Sequence, residues 1–113
     1  MDTPVDIHER IFRFVIRGLK VISYLPKTVE AKIITNQYAR SLTSVGANDS
    51  EADGTSTKND FVHVYTVVRK ELKETRYWLR IIAALYPQLA QRLLSLIGES
   101  EELIKIISKI ILN

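Results

Sequence analysis

The 113-residue chain contains no cysteine. A disulfide frame, a thiolate nucleophile and a zinc–thiolate centre are therefore excluded. The same absence fits a reducing compartment, so a cytoplasmic location is expected. Proline and glycine are scarce, at three and four residues, and Pro4, Pro26 and Pro87 fall at segment boundaries. Long helices can run uninterrupted between them. No uncharged run approaches the ~20 residues that span a bilayer. Met1–Pro4 lacks the basic and apolar regions of a secretory leader, so no membrane is expected. A Gly-rich phosphate loop and a Ser-His-Asp set are also missing. His8-Glu9 opens like a zinc-protease motif, but Phe12 stands where the second histidine belongs. Asp49 to Asp60 approximates a calcium loop, with Gly54 at its sixth position. Glu51, Ser56 and Asp60 suit that loop poorly, and a continuing helix is the more economical reading. No catalytic residue, cofactor or metal is expected, and the chain is read as a non-enzyme.

What is present is helical periodicity. A single domain spans residues 1–113, with helices predicted at about 5–24, 29–53, 58–85 and 88–112. Ile7, Ile11, Phe14, Gly18, Ile22 and Leu25 follow three-four spacing, as do Phe61, Val64, Val68, Leu72, Thr75, Leu79 and Ile82. Leu89, Leu93, Leu96, Ser100, Leu103, Ile107 and Ile110 form the last stripe. Pro26 ends the first helix, Gly54 is a stop for the second, and Thr57 caps the third. Pro87 sits in the first turn of the fourth, where a missing N–H costs nothing. Short connections predict an all-α, antiparallel, up-down-up-down four-helix bundle.

Two helices carry more apolar surface than a monomer needs. Phe12, Val15, Ile16 and Leu19 lie off the first stripe, and Leu94, Ile97, Ile104, Ile106 and Ile111 off the fourth. A surface helix requires only a ~100° stripe. One reading is a wide core-facing arc. The other, preferred here, is a subunit interface through Phe12, Ile16, Leu19, Ile97 and Ile104.

The net charge of +3 is modest, but its distribution is not even. Arg10, Arg13, Arg17 and Lys20 form a ridge on the first helix. Arg69, Lys73, Arg76 and Arg80 form another on the third, with Glu71 and Glu74 on its other side. Such ridges are either solvated faces or phosphate-contacting surfaces, which oligomeric symmetry would multiply into a strong field.

The second helix carries Ser41, Ser44, Ala47, Asn48 and Glu51 three or four apart, a small and polar face where leucines would be usual. The run Arg40-Ser41-Leu42-Thr43-Ser44-Val45-Gly46-Ala47-Asn48 is followed by Glu51-Ala52, then Lys58-Asn59-Asp60-Phe61. After these comes Arg69-Lys70-Glu71-Leu72-Lys73-Glu74-Thr75-Arg76-Tyr77-Trp78-Leu79. With Leu25-Pro26-Lys27-Thr28 and Gln37 upstream, these residues resemble the four-helix bundle proteins of the 23S rRNA intervening-sequence family. Leu42 stands where a small residue is common in that family. The resemblance implies a homopentameric barrel. It also extends to accessory proteins of diversity-generating retroelements, which bind a reverse transcriptase and RNA. A non-enzymatic, ring-like homo-oligomer with those partners is thus implied. Its polar network would comprise Arg40, Ser44, Asn48, Glu51, Glu71 and Glu74, with Asn48 and Glu51 facing the bundle near the third helix.

Overall fold

A computed structural model describes residues 6–113. Helix α1 covers Ile7–Lys20, α2 Val29–Glu51, α3 Lys58–Leu85 and α4 Ala90–Leu112. Single 3₁₀ turns follow α1 and α2 at Val21–Tyr24 and Ala52–Gly54, and another precedes α4 at Pro87–Leu89. The predicted ends of the first and second helices and the start of the fourth therefore tighten into 3₁₀ geometry. Val5, the predicted first helical residue, lies outside the described residues. No strand occurs among the described residues.

Each of the first three helices starts on a side-chain cap. Asp6 accepts from the His8 N–H at 2.8 Å, Thr28 from the Ala31 N–H at 3.2 Å, and Thr57 from the Asp60 N–H at 3.1 Å. Each cap satisfies an N–H that the first helical turn leaves without a partner.

Contacts between neighbouring helices run in opposite order along the chain. His8 meets Asp49, and Gly18 meets Tyr38 and Leu42. Asp49 meets Tyr65, and Ser41 meets Thr75. Between α3 and α4 the chain turns through 116°, short of full reversal. The molecule measures 45 × 34 × 19 Å, much wider in one cross-section than the other.

The core follows the predicted stripes on α1, α3 and α4. Ile11, Phe14 and Gly18, then Val68, Leu72, Thr75, Leu79 and Ile82, then Leu89, Leu93, Leu96, Ser100, Leu103 and Ile107 are all buried. On α2 the buried face differs from the small-polar one. It consists of Ala31, Ile34, Tyr38, Ser41, Leu42, Val45, Asp49 and Ala52. At 100° per residue it is rotated about a third of a turn from Ser44, Ala47, Asn48 and Glu51. Ser41 belongs to both faces, which is why the two patterns are easily confused.

Of the four glycines, Gly18 sits in the tightest contact. A Cβ there would stand 2.7 Å from Leu42 Cδ2 and 2.9 Å from the Tyr38 hydroxyl. That hydroxyl donates to the Gly18 carbonyl at 2.6 Å. The small residue required for close packing is thus on α1, which leaves room for Leu42 on α2. Gly18→Ala should destabilise the fold by about 1–3 kcal/mol in urea titration, since Leu42 and Tyr38 are fully buried and cannot yield. Gly98→Ala, at a site with nothing within 4 Å, should instead stabilise by about 0.5–1 kcal/mol. Shifts of the same sign would refute this account of the α1–α2 contact.

Candidate nucleic-acid interface and polar network

The α3 ridge lies along one side of the longest helix. Lys73 and Arg80 are exposed, and Arg69 and Arg76 are half-buried. Arg69 donates to the Ser108 hydroxyl at 3.3 Å. Among the described residues no carboxylate forms an ion pair with any of the four. Tyr77 beside them is exposed. Trp78 is half-buried against the core, edge-on to Tyr77 at 5.0 Å, and donates to Glu74 at 3.4 Å.

The α1 ridge is largely committed to other partners. Arg10 grips Glu99 of α4 with two bonds, at 2.7 and 2.8 Å. Arg13 pairs with Glu9 one turn back at 3.2 Å. Arg17 donates to the Ser95 hydroxyl at 2.6 Å, and Lys20 is exposed. The two predicted ridges therefore differ: carboxylates neutralise half of the first and none of the second.

The polar network forms with a different membership. Arg40 reaches both Glu71, at 3.5 Å, and Glu74 on α3. Deeper in, the Thr75 hydroxyl donates to the Glu71 carbonyl at 2.8 Å and lies 2.9 Å from the Ser41 hydroxyl. Arg40, Glu71 and Glu74 thus belong, joined by Ser41 and Thr75. Ser44, Asn48 and Glu51 do not. Asn48 bonds only to the Ser44 carbonyl within its own helix, at 2.8 Å, and Glu51 is exposed. The rotation of the α2 core face by about a third of a turn carries all three past the α3 contact.

The predicted interface residues also separate. Phe12 and Ile16 are exposed, at 61% and 38%. Leu19 and Ile97 are half-buried and pack on the core, and Ile104 is a core residue. Leu94 of α4 is exposed. Excess apolarity on α4 is mostly core, because α4 packs on both α3 and α1; on α1 it faces outward.

A second polar cluster was hidden in the failed motifs. His8 Nδ1 lies 3.0 Å from both carboxylate oxygens of Asp49, and its Nε2 is 3.7 Å from Asp53. The Tyr65 hydroxyl donates to Asp49 at 2.9 Å. Asp49 is buried, and its place in the apolar stripe Tyr38, Leu42, Val45, Ala52 is the sequence signal that could have exposed it. A cleft of about 470 Å³ opens beside it between α1 and α2, walled by Ile11, Phe12, Val15, Thr43, Gly46 and Ala47. No cluster of metal-ligating side chains exists among the described residues. Burial pushes the Tyr65 phenol up, and the hydrogen bond to Asp49 adds to that. The hydrogen bond to Asp49 holds the His8 imidazolium above its ordinary value of 6.5, helped by the charges of Asp49, Asp53 and Asp6. A raised folded-state value means that stabilisation by His8 is complete below the unfolded value and fades as pH climbs through the folded one. His8→Gln should therefore flatten the stability profile as pH rises above 6.5. A His8 ring that titrates at or below 6.5 by NMR would contradict the geometry.

No single helix is long and apolar enough to cross a membrane among the described residues. No curated protein is detectably similar to the chain. A solved structure from Bacteroides thetaiotaomicron, described as a protein with unknown function from the S23 ribosomal protein family, has the same fold. The TM-score is 0.85 at 26% identity, over 94% of this chain and 98% of that one. The 23S rRNA-intervening sequence protein model matches residues 4–109. With four helices in the expected places and the matched stretch running through nearly the whole chain, the protein belongs to the 23S rRNA-intervening sequence protein family.

Proposed function

We propose that this protein is a non-enzymatic, oligomeric accessory protein that binds RNA, or a ribonucleoprotein, through the basic face of α3. The observation that carries the reading is that, among the described residues, Arg69, Lys73, Arg76 and Arg80 have no carboxylate partner. Four cations on one face, without internal acids to satisfy them, suit a run of phosphates. The family name, which refers to 23S rRNA, points the same way. The α1 ridge contributes less, since Arg10 and Arg13 already hold carboxylates. By the family resemblance, a reverse transcriptase is a further candidate partner, in the cytoplasm.

The assembly we propose is a ring-like homo-oligomer, a pentamer, of antiparallel up-down-up-down bundles. The opposite order of the helix contacts supports the bundle topology. Exposed Phe12 and Ile16, one turn apart on α1, support the association face. The second reading is a protein-interaction scaffold with solvated basic faces, and the saturated arginines of α1 favour it.

Salt titration of labelled structured RNA decides between them. Replacing Arg69, Lys73 and Arg76 with Gln should weaken binding and lower the salt slope of log affinity by about 2–3. No binding at low salt, or equal slopes for both proteins, would leave the scaffold reading. Phe12→Glu with Ile16→Glu should convert the oligomer to a helical monomer in light scattering. A wild type that scatters as a monomer at micromolar concentration would rule out the ring.

A further inference from the structure

Three cations meet in a notch of about 230 Å³ where the end of α1 passes the start of α4: Arg17, Lys20 and Arg92. Its floor is Val21 and Leu96, both buried, and Tyr24 forms a wall. Among the described residues no carboxylate lines it. Lys20 follows Arg17 by three residues in the last turn of α1, so the helix itself brings their charges together. Arg92 arrives from another element.

The two guanidinium groups are held by neutral partners. Arg17 donates to Ser95 at 2.6 Å. Arg92 lies 4.2 Å over the Tyr24 ring. A cation over an aromatic face is attracted by the ring but keeps its full charge and its N–H donors. The contrast with Arg10 and Arg13, two turns and one turn earlier on α1, is chemical: those two are fixed by Glu99 and Glu9 and are neutralised by them. Arg92 is also in the first turn of α4, where the helix dipole disfavours a cation and favours an anion. Three like charges over an apolar floor, positioned without being neutralised, form a receptor for an anion with several oxygens.

We infer that this notch is a phosphate-binding site, in which Arg17, Lys20 and Arg92 take a phosphate group and Tyr24 and Ser95 hold the arginines in place. The phosphate belongs either to a small phosphorylated ligand or to a nucleic-acid backbone. The site is separate from the α3 face and does not depend on it.

The test is an NMR titration of the arginine side-chain Nε–H resonances with inorganic phosphate. Arg17 and Arg92 should shift saturably while Arg69 and Arg80 stay nearly unmoved. Arg92→Gln should weaken the phosphate affinity about tenfold. Tyr24→Leu, which keeps every charge but releases Arg92, should weaken it by a smaller factor. Arg80→Gln should leave it unchanged even if the α3 face binds RNA. A second titration with hexauridylate separates the sources, both of which fit a phosphate site. Displacement of phosphate from Arg17 and Arg92 assigns the site to a nucleic-acid backbone, and its failure to displace assigns it to a small phosphorylated ligand. The inference is overturned if no saturation occurs below ~10 mM phosphate, if all arginines shift alike, or if Arg92→Gln binds as wild type does.

Discussion

A buried carboxylate organises this bundle. Asp49 lies on the core face of α2, and an unpaired carboxylate there would cost several kcal/mol. Its oxygens are met by the His8 ring from α1 and the Tyr65 hydroxyl from α3. One side chain therefore fixes the rotation and height of three helices at once. Apolar packing alone would tolerate small slips between them. A carboxylate with two partners of fixed geometry does not, because a slip that breaks either contact leaves a charge without compensation.

The other end of α1 is fixed by steric fit. Gly18 admits Leu42 and receives the Tyr38 hydroxyl on its carbonyl. Held at His8 and at Gly18, the 14-residue α1 has little freedom to roll on α2. Its inner face is thereby fixed as Ile11, Phe14 and Gly18, and its outer face must carry Phe12 and Ile16. The exposed apolar pair is thus a consequence of how α1 is anchored. The cleft beside Asp49 has the same origin, since Phe12 stands off the small residues Gly46 and Ala47 and no side chain of the described residues fills the space between.

Much of this was legible in the sequence, and the failures have definite causes. The stripes on α1, α3 and α4 are readable because leucine and isoleucine mark the buried face with little competition from other positions. On α2 the marks conflict. The apolar stripe Ile34, Tyr38, Leu42, Val45 and Ala52 marks the core side but is interrupted by Ser41 and Asp49, while a small-polar face about a third of a turn away reads as the packing seam. Ser44, Asn48 and Glu51 were lost from the network for that reason. Arg40, Glu71 and Glu74 were retained, because long charged side chains reach across a helix boundary whatever the exact rotation. Ile104 and Ile97 differ from Phe12 and Ile16 for another reason. Periodicity shows how wide the apolar arc of α4 is but not how many neighbours it faces, and α4 packs on two.

The distribution of positive charge follows a similar rule. A ridge of cations read from spacing says nothing of what lies opposite each one in the fold. Arg10 and Arg17 are seven residues apart on the same face of α1, yet Arg10 meets Glu99 and Arg17 meets Ser95 on α4. The partner changes from acid to hydroxyl within little more than one turn of α4. That change divides α1 into a stapled half, where charge contributes to the α1–α4 contact, and an open half, where it remains available to an anion. On α1, pairing of arginine with carboxylates is thus confined to the half of the helix nearer His8 and Asp49. At the opposite end, where α1 gives way to its 3₁₀ turn and α4 begins, the same residue type is ordered by hydroxyl and aromatic partners that leave its charge intact.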